Sequence, residues 1–260
     1  MTHPHTDQTR LREQYRDSTN LGARIALHAR FTTAPRPWTD WVFDHLDLPG
    51  AARVLEVGCG TGLFWRRNRE RIPAAWRLML TDFSFGMVET VRATGVPANF
   101  LQSDAQEIPF CDAAFDAVVA NHMLYHVPDL PRALADIQRV LKSGGKFFAA
   151  TNSITHMREL DELTSPFGIH PGSATLTFTL ENGEQILAKH FSSVRRLDFA
   201  DTLVVTEVEP LVAYILSMFS AQKIRGSAGE QQLRQVIAER IAHDGAFRIA
   251  NAAGLFVAER

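Results

Sequence analysis

Only two cysteines, Cys59 and Cys111, occur among the 260 residues. That is too few for a disulfide framework, and they lack metal-ligand spacing; both are expected as free thiols in a cytoplasmic protein. No stretch approaches the roughly 20 apolar residues needed to span a bilayer. Met1 to Arg12 are polar, with no apolar run of a secretory signal, so no membrane partner is expected. A basic excess is also missing: 27 Lys and Arg face 29 Asp and Glu, for a formal net charge of −2, which argues against a dedicated nucleic-acid binder. The N-terminal arginines (Arg10, Arg12, Arg16, Arg24, Arg30) are interleaved with Asp7, Glu13 and Asp17, the mix of a solvated helix face. Internal repeats, low-complexity tracts and an H-E-x-x-H motif are absent as well.

What is present is an ordinary globular composition, 45% hydrophobic and 22% charged, long enough to bury a large core. Up to about Pro49 the apolar spacing is helical, broken into two pieces by Pro35 and Pro37. From Ala52 short apolar runs alternate with amphipathic stretches, the signature of βαβ units. Strands are expected at 53–57, 76–81, 99–102, 115–120 and 147–151, with helices at 63–71, 84–93 and 130–141. Lys142 to Lys146 reads as a tight turn in which Gly144 and Gly145 supply positive φ. Beyond Thr151, helices are expected at 157–164, 181–190, 207–219 and 229–243, and strands at 193–199 and 255–258. The sum is an α/β, Rossmann-like, seven-stranded and mostly parallel sheet with helices on both faces. It is expected as one domain: a helical cap at 1–49, a core at 50–152, and the remaining sheet with helical insertions at 153–260.

Glu56 to Gly62 closes the first expected strand and opens a helix. Glycines there let the backbone pass close to a ligand, beyond the carboxyl ends of the strands where an open parallel sheet binds. The pattern is Gly58-x-Gly60-x-Gly62 with Leu63 next, whereas a dinucleotide fingerprint places a glycine at the position of Leu63. Asp82 follows the second strand, placed to accept from both ribose hydroxyls, or with Ser84 to cap the helix. Asp104 follows the third, placed to accept from an adenine amino group, or as an ordinary loop aspartate. Acidic groups after three successive strands, without a phosphate-binding lysine, suit a nucleoside carrying an amino acid.

The run from Val54 to Gly62 resembles motif I of the class I S-adenosylmethionine-dependent methyltransferases. The similarity continues in order through Leu80-Thr81-Asp82-Phe83-Ser84 with Met87, Asp104-Ala105-Gln106, Phe115-Asp116-Ala117-Val118, and Arg139-Val140-Leu141-Lys142 with Gly144-Gly145. It is similar to the type 11 branch, many of whose members methylate small molecules, over about residues 50–152. The resemblance implies S-adenosylmethionine as cofactor, with Glu56 at the first strand's end and Gly58, Gly60 and Gly62 against its methionine portion and ribose. It implies Asp82 on the ribose hydroxyls, Phe83 and Met87 flanking the adenine, and Asp104 and Ala105 at the adenine edge. Asn121 would reach the methionine end or face the acceptor, and Tyr15 and Arg24 would close over the cofactor. Nothing in the motifs specifies the acceptor or the oligomeric state.

On the acceptor side, His122 and His126 follow the fourth strand at the i, i+4 spacing that places two imidazoles on one helix face. They read as general base or acceptor-orienting groups, as packing residues of the site wall, or as a metal pair, for which no third ligand is apparent. His126 is the first choice of base, His156 a further candidate, and no metal is expected. Phe31, Trp38, Trp41, Phe167, Tyr214, Met218 and Phe219 read as core of the helical additions, or as walls of a partly apolar pocket. The expected activity is methyl transfer to an oxygen, nitrogen or carbon of a small metabolite. The alternatives are a non-methylating, cyclase-type enzyme on the same cofactor and a cofactor-binding regulatory module.

Overall fold

A computed structural model describes residue 6 and residues 19–170 and 175–260 of the chain. Two helices lead in, α1 (Thr19–Phe31) and α2 (Trp38–Asp44). Pro37, at φ −57° and ψ 144°, is fixed in the extended conformation from which α2 starts. The alternating part follows: β1 (Arg53–Val57), α3 (Leu63–Arg67, continued by a 3-10 turn at Arg69–Arg71), β2 (Arg77–Asp82), α4 (Phe85–Arg92), β3 (Ala98–Gln102), β4 (Phe115–Asn121), α5 (Leu130–Val140) and β5 (Leu141–Asn152). The last part comprises α6 (Arg158–Thr164), α7 (Gly183–Leu187), β6 (Ser193–Val205), α8 (Val208–Leu216), α9 (Ala228–Asp244) and β7 (Phe247–Glu259). Local chemistry sets several of these starts. Ser84 Oγ accepts from Met87 N at 3.4 Å to cap α4, and the Asp129 carboxylate accepts from Arg132 N at 3.1 Å to cap α5.

The strands form one sheet in the order β3-β2-β1-β4-β5-β7-β6. The first five are parallel; β7 runs antiparallel to both β5 and β6. Alternate residues of the central strands serve opposite faces. Leu55, Val118, Ala120, Phe147 and Ala149 pack with Leu134 and Ile137 of α5. Val54, Ala117, Val119, Phe148 and Ala150 pack on the other side with Trp65 of α3 and Val91 of α4. Burial on both faces is why these strands read as unbroken apolar runs.

The C-terminal hairpin is much longer than the sequence pattern suggests. β6 and β7 pair from Ser193↔Glu259 to Val205↔Phe247, whereas β5 reaches only Asn152↔Ala253. The rest of the hairpin therefore projects past the carboxyl edge of the parallel strands. A separate core forms on it from Leu203 and Ile249 of the hairpin, Leu27 of α1, Leu160 of α6, Ile215 of α8 and Ile237 of α9. This cap overhangs the end of the sheet where β1 and β4 diverge.

Two local expectations change. Lys142–Lys146 is not a free turn but the start of β5, with a register shift between Phe115↔Leu141 and Ala117↔Lys146. Gly144 takes positive φ (69°), whereas Gly145 does not; a Cβ on Gly145 would stand 2.8 Å from the Lys142 carbonyl, so space selects glycine there. Among the described residues no helix is long and apolar enough to cross a membrane.

Candidate functional site

Strand order reverses between β1 and β4, and this switch point is where an open α/β sheet leaves a crevice. A cavity of about 830 Å³ opens there under the cap. That is near the upper end of the roughly 300–1,000 Å³ of small-ligand sites, room for two small molecules side by side.

One half of the cavity is built from the ends of β1, β2 and β3. The chain leaves β1 through Gly58 and Gly60, both at positive φ (69° and 53°). A Cβ on Gly58 would meet the Met123 side chain at 2.8 Å, so the turn lies close against the segment after β4. Asp82 is held across this turn, its Oδ2 accepting from Gly60 N at 2.8 Å and its Oδ1 from Ser84 N at 2.8 Å. A carboxylate has about four lone-pair sites, so Asp82 keeps capacity for two further donors. Burial raises its pKa against the pull of those two N–H bonds. Phe83, Met87, Asp104 and Ala105 line the same half, with Asp104 accepting from Gln106 N at 2.9 Å.

Glu56 lies at the back, 1% exposed, one carboxyl oxygen accepting from Trp65 Nε1 at 2.7 Å and the other from Asn121 Nδ2 at 3.0 Å. Burial pushes its pKa up to about 8, opposed by those two bonds and reinforced by the Asp82 charge. Asn121 Oδ1 is buried without a hydrogen-bond partner, an acceptor that a bound donor would satisfy. The glycine cradle, the spare capacity of Asp82 and the orphan Asn121 oxygen together fit S-adenosylmethionine, whose ribose hydroxyls and ammonium are donors. Arg66 and Arg67 reach the rim from the last turn of α3, a basic feature the sequence pattern did not single out.

Gly62 differs from the other two glycines. It does not line the cavity, and its N–H is spent on the Cys59 carbonyl at 3.0 Å. It ends the turn before α3 with φ 68°, where a Cβ would stand 2.2 Å from Val91 Cγ2. Its glycine is needed for packing α3 against α4. Tyr15 lies outside the described residues. Arg24 on α1 does line the cavity, with Nε donating to Ser217 Oγ at 3.1 Å and a terminal nitrogen donating to the Ser217 carbonyl at 3.3 Å.

The other half lies under the cap. His122 and His126 both line it, but not from one helix face. His122 leaves β4 in the left-handed region (φ 52°), and only Leu124–His126 form a 3-10 turn. His122 packs on Trp38, ring centroids 5.0 Å apart, and burial pushes its pKa down to about 4. Trp38 and Phe199 meet edge to face at 5.1 Å, so Trp38 belongs to a cavity wall as well as to packing. Phe31, Tyr214 and Met218 are buried in the cap core, Phe167 packs against it, and Phe219 is exposed. Among the described residues no group of three or more His, Cys, Asp or Glu side chains is arranged to hold a metal ion.

Three residues not singled out from the sequence complete this half: His28 on α1, and Asp201 and Asn251, register partners across the β6–β7 hairpin. Asn251 Nδ2 donates to Asp201 Oδ2 at 2.8 Å and lies 3.5 Å from His28 Nδ1. Burial lowers the His28 pKa, opposed by the Asp201 charge. His156 is buried, its pKa pushed down to about 3 by burial with smaller effects from His28 and His122. Its Nδ1 has no hydrogen-bond partner.

Residues 55–149 match the family model described as a methyltransferase domain. The chain is 33% identical over 110 residues to a malonyl-acyl-carrier-protein O-methyltransferase of Serratia marcescens, covering 42% of each chain. The first relatives matched are spanned over about half their length or less. Among solved structures, Haemonchus contortus phosphoethanolamine N-methyltransferase 2, in complex with phosphomonomethylethanolamine and S-adenosylhomocysteine, superposes with a TM-score of 0.60 at 18% identity, covering 96% of this chain and 58% of that one. The (4+2)-cyclase SpnF superposes with a TM-score of 0.54 at 22% identity, covering 85% of this chain and 79% of that one. At such identities the structural likeness is one of fold. The match over residues 55–149 and relatives named as methyltransferases support a methyltransferase domain of the class I S-adenosylmethionine-dependent type in this part of the chain.

Proposed function

We propose that this chain transfers a methyl group from S-adenosylmethionine to a small-molecule acceptor held beside it in the same cavity. The observation that carries the reading is Asp82, a part-buried carboxylate fixed by Gly60 N–H at the switch point with two acceptor positions to spare. Asp82 takes the ribose hydroxyls. Phe83 and Met87 flank the adenine, and Asp104 and Ala105 meet its edge. Gly58 and Gly60 let the backbone approach the methionine portion, whose ammonium donates to Asn121 Oδ1, with Glu56 behind it. Arg24 closes the cofactor side from α1. Bound there, S-adenosylmethionine supplies a methyl group already activated on a sulfonium. The protein's share is to align the acceptor with that methyl group and to exclude water. Residues 1–49, 50–152 and 153–260 act as one unit in this reading, since the cavity takes lining residues from all three.

The test is calorimetric binding of S-adenosylmethionine with product analysis across an acceptor panel. Affinity is expected to fall about a hundredfold or more in Asp82→Ala, from losing two hydrogen bonds to a charged group at about 1.5–3 kcal/mol each. Unchanged affinity refutes the ribose assignment. S-adenosylhomocysteine is expected in step with a methylated product. Turnover without it means cyclase-type chemistry, and binding without turnover means a regulatory module.

A further inference from the structure

The donor half of the cavity is acidic, whereas the half under the cap is polar but holds little available charge. The Asp201 carboxylate is fully engaged: Oδ1 accepts from Thr32 Oγ1, Thr33 N and Ala34 N at 2.9–3.1 Å, and Oδ2 accepts from Asn251. The Arg24 guanidinium is engaged by Ser217. What faces the remaining space is aromatic and imidazole: Trp38, Phe199, His28, His122 and His156. Desolvation keeps all three rings neutral at physiological pH. The Asp201 and Arg24 charges both reach this chamber with opposite sign, so a charged acceptor would gain no net counter-charge for the hydration it loses. A flat, uncharged ring would stack on the aromatic walls.

His156 supplies the specific contact. It is nine-tenths buried and lines the cavity. One ring nitrogen hydrogen-bonds to the backbone of Ala252, and Nδ1 has no partner. The bond to the Ala252 carbonyl therefore falls to Nε2–H, which fixes the tautomer and leaves Nδ1 as a bare lone pair. An acceptor nitrogen buried without a donor is destabilising, and a bound hydroxyl would satisfy it.

Resting on the methyl-transfer reading, we propose that the chamber between α1, the segment after β4 and the β6–β7 hairpin is the acceptor subsite. It takes an uncharged, planar acceptor carrying a ring hydroxyl, a phenol or enol, whose O–H donates to His156 Nδ1. The oxygen–methyl bond forms as the carbon–sulfur bond of the sulfonium donor breaks, the electron pair of that bond staying on sulfur. His156 Nδ1 orients the hydroxyl as an acceptor, and the hydroxyl proton is released to water as the oxygen–methyl bond forms.

The experiment compares equilibrium binding of naphthol and methylnaphthalene, the same ring with the hydroxyl replaced by methyl, with and without S-adenosylhomocysteine. Naphthol is expected to bind about five- to tenfold more tightly, and S-adenosylhomocysteine not to displace it. The gap closes in His156→Phe and returns in His156→Gln, whose side-chain oxygen again offers an acceptor. Equal affinities in the wild-type protein overturn the assignment, whatever the variants' stability. A gap that survives His156→Phe overturns it as well. So does displacement by S-adenosylhomocysteine, or tighter binding of the charged naphthoate or naphthylmethylamine. If S-adenosylhomocysteine does not bind while the naphthol gap stands, the methyl-transfer reading falls and the ring-hydroxyl subsite remains.

Discussion

Gly62→Ala tests the division of labour within the glycine turn. Gly62 has φ 68°, and an added methyl group would stand 2.2 Å from Val91 Cγ2 and 3.2 Å from Val91 Cβ. The left-handed backbone costs an L-residue about 1–2 kcal/mol. Forcing a methyl group into the α3–α4 contact adds about 1–3 kcal/mol. The variant should lose about 2–5 kcal/mol of stability. At an m-value of about 3 kcal/mol/M that lowers the urea midpoint by about 0.7–1.7 M. Because Gly62 N–H is spent on Cys59 O, the folded variant should bind S-adenosylmethionine within about twofold of wild type.

The clash can be separated from the backbone strain. Val91→Ala alone costs about 2 kcal/mol through two lost methyl groups and the space they leave. In the double variant Cγ2 is gone and only the 3.2 Å approach to Cβ remains, so most of the contact part of the Gly62→Ala penalty is relieved while the φ penalty stays. The double variant should be about 1–3 kcal/mol more stable than the sum of the singles, read from urea unfolding of all four proteins. A Gly62→Ala protein of wild-type stability and weakened cofactor binding would falsify this account and return Gly62 to the ligand-contacting glycines.

Two further expectations concern protons. Glu56 carries a folded-state pKa raised to about 8 from an ordinary 4.5, so its stabilising contribution is complete below about pH 4.5 and is lost as pH rises through 8. Wild-type stability should therefore fall by up to about 1.4 kcal/mol per pH unit across that window relative to Glu56→Gln, in which the Asn121 amide can turn to keep both partners; parallel stability curves for the two proteins refute the shift. For the acceptor side, His126→Ala should lower kcat/KM for S-adenosylhomocysteine formation with a naphthol-class acceptor by less than about tenfold. A loss beyond about a hundredfold would make His126 the base, as its position after β4 first suggested.

The donor half was legible because it is assembled from chain segments whose spatial order follows from their sequence order. Once 53–57, 77–82 and 98–102 are parallel neighbours, the residues that follow each strand meet at one edge. Glu56, Asp82 and Asp104 then converge without any knowledge of tertiary contacts. The acceptor half depends on pairings of long range. His28 and Asn251 lie 223 positions apart in the chain, and Asp201 faces Asn251 only through the hairpin register. Ala200-Asp201-Thr202 interrupts the apolar alternation, so the strand reads as ending at Phe199, whereas backbone pairing carries it on to Val205. His122 and His126 depart from the spacing rule for a different reason. Spacing of four implies a shared face only if the backbone is helical, and the left-handed turn at His122 breaks that premise.

The same contrast bears on how acceptor choice is built. The cap has its own core, with Leu203, Ile249, Leu27, Ile215 and Ile237 buried apart from the two cores that flank the sheet. Asp201 and Asn251 stand on the hairpin that carries this core, beyond the last residue of β5. Asp82, Gly58 and Gly60 stand on strands and turns fixed by the sheet. A change of hairpin length or cap packing therefore moves the walls of the acceptor chamber while leaving the geometry of Asp82 and its two N–H donors in place. This follows from one antiparallel pair outrunning its parallel neighbours, and in the proposed reading it separates acceptor selectivity from the cofactor site.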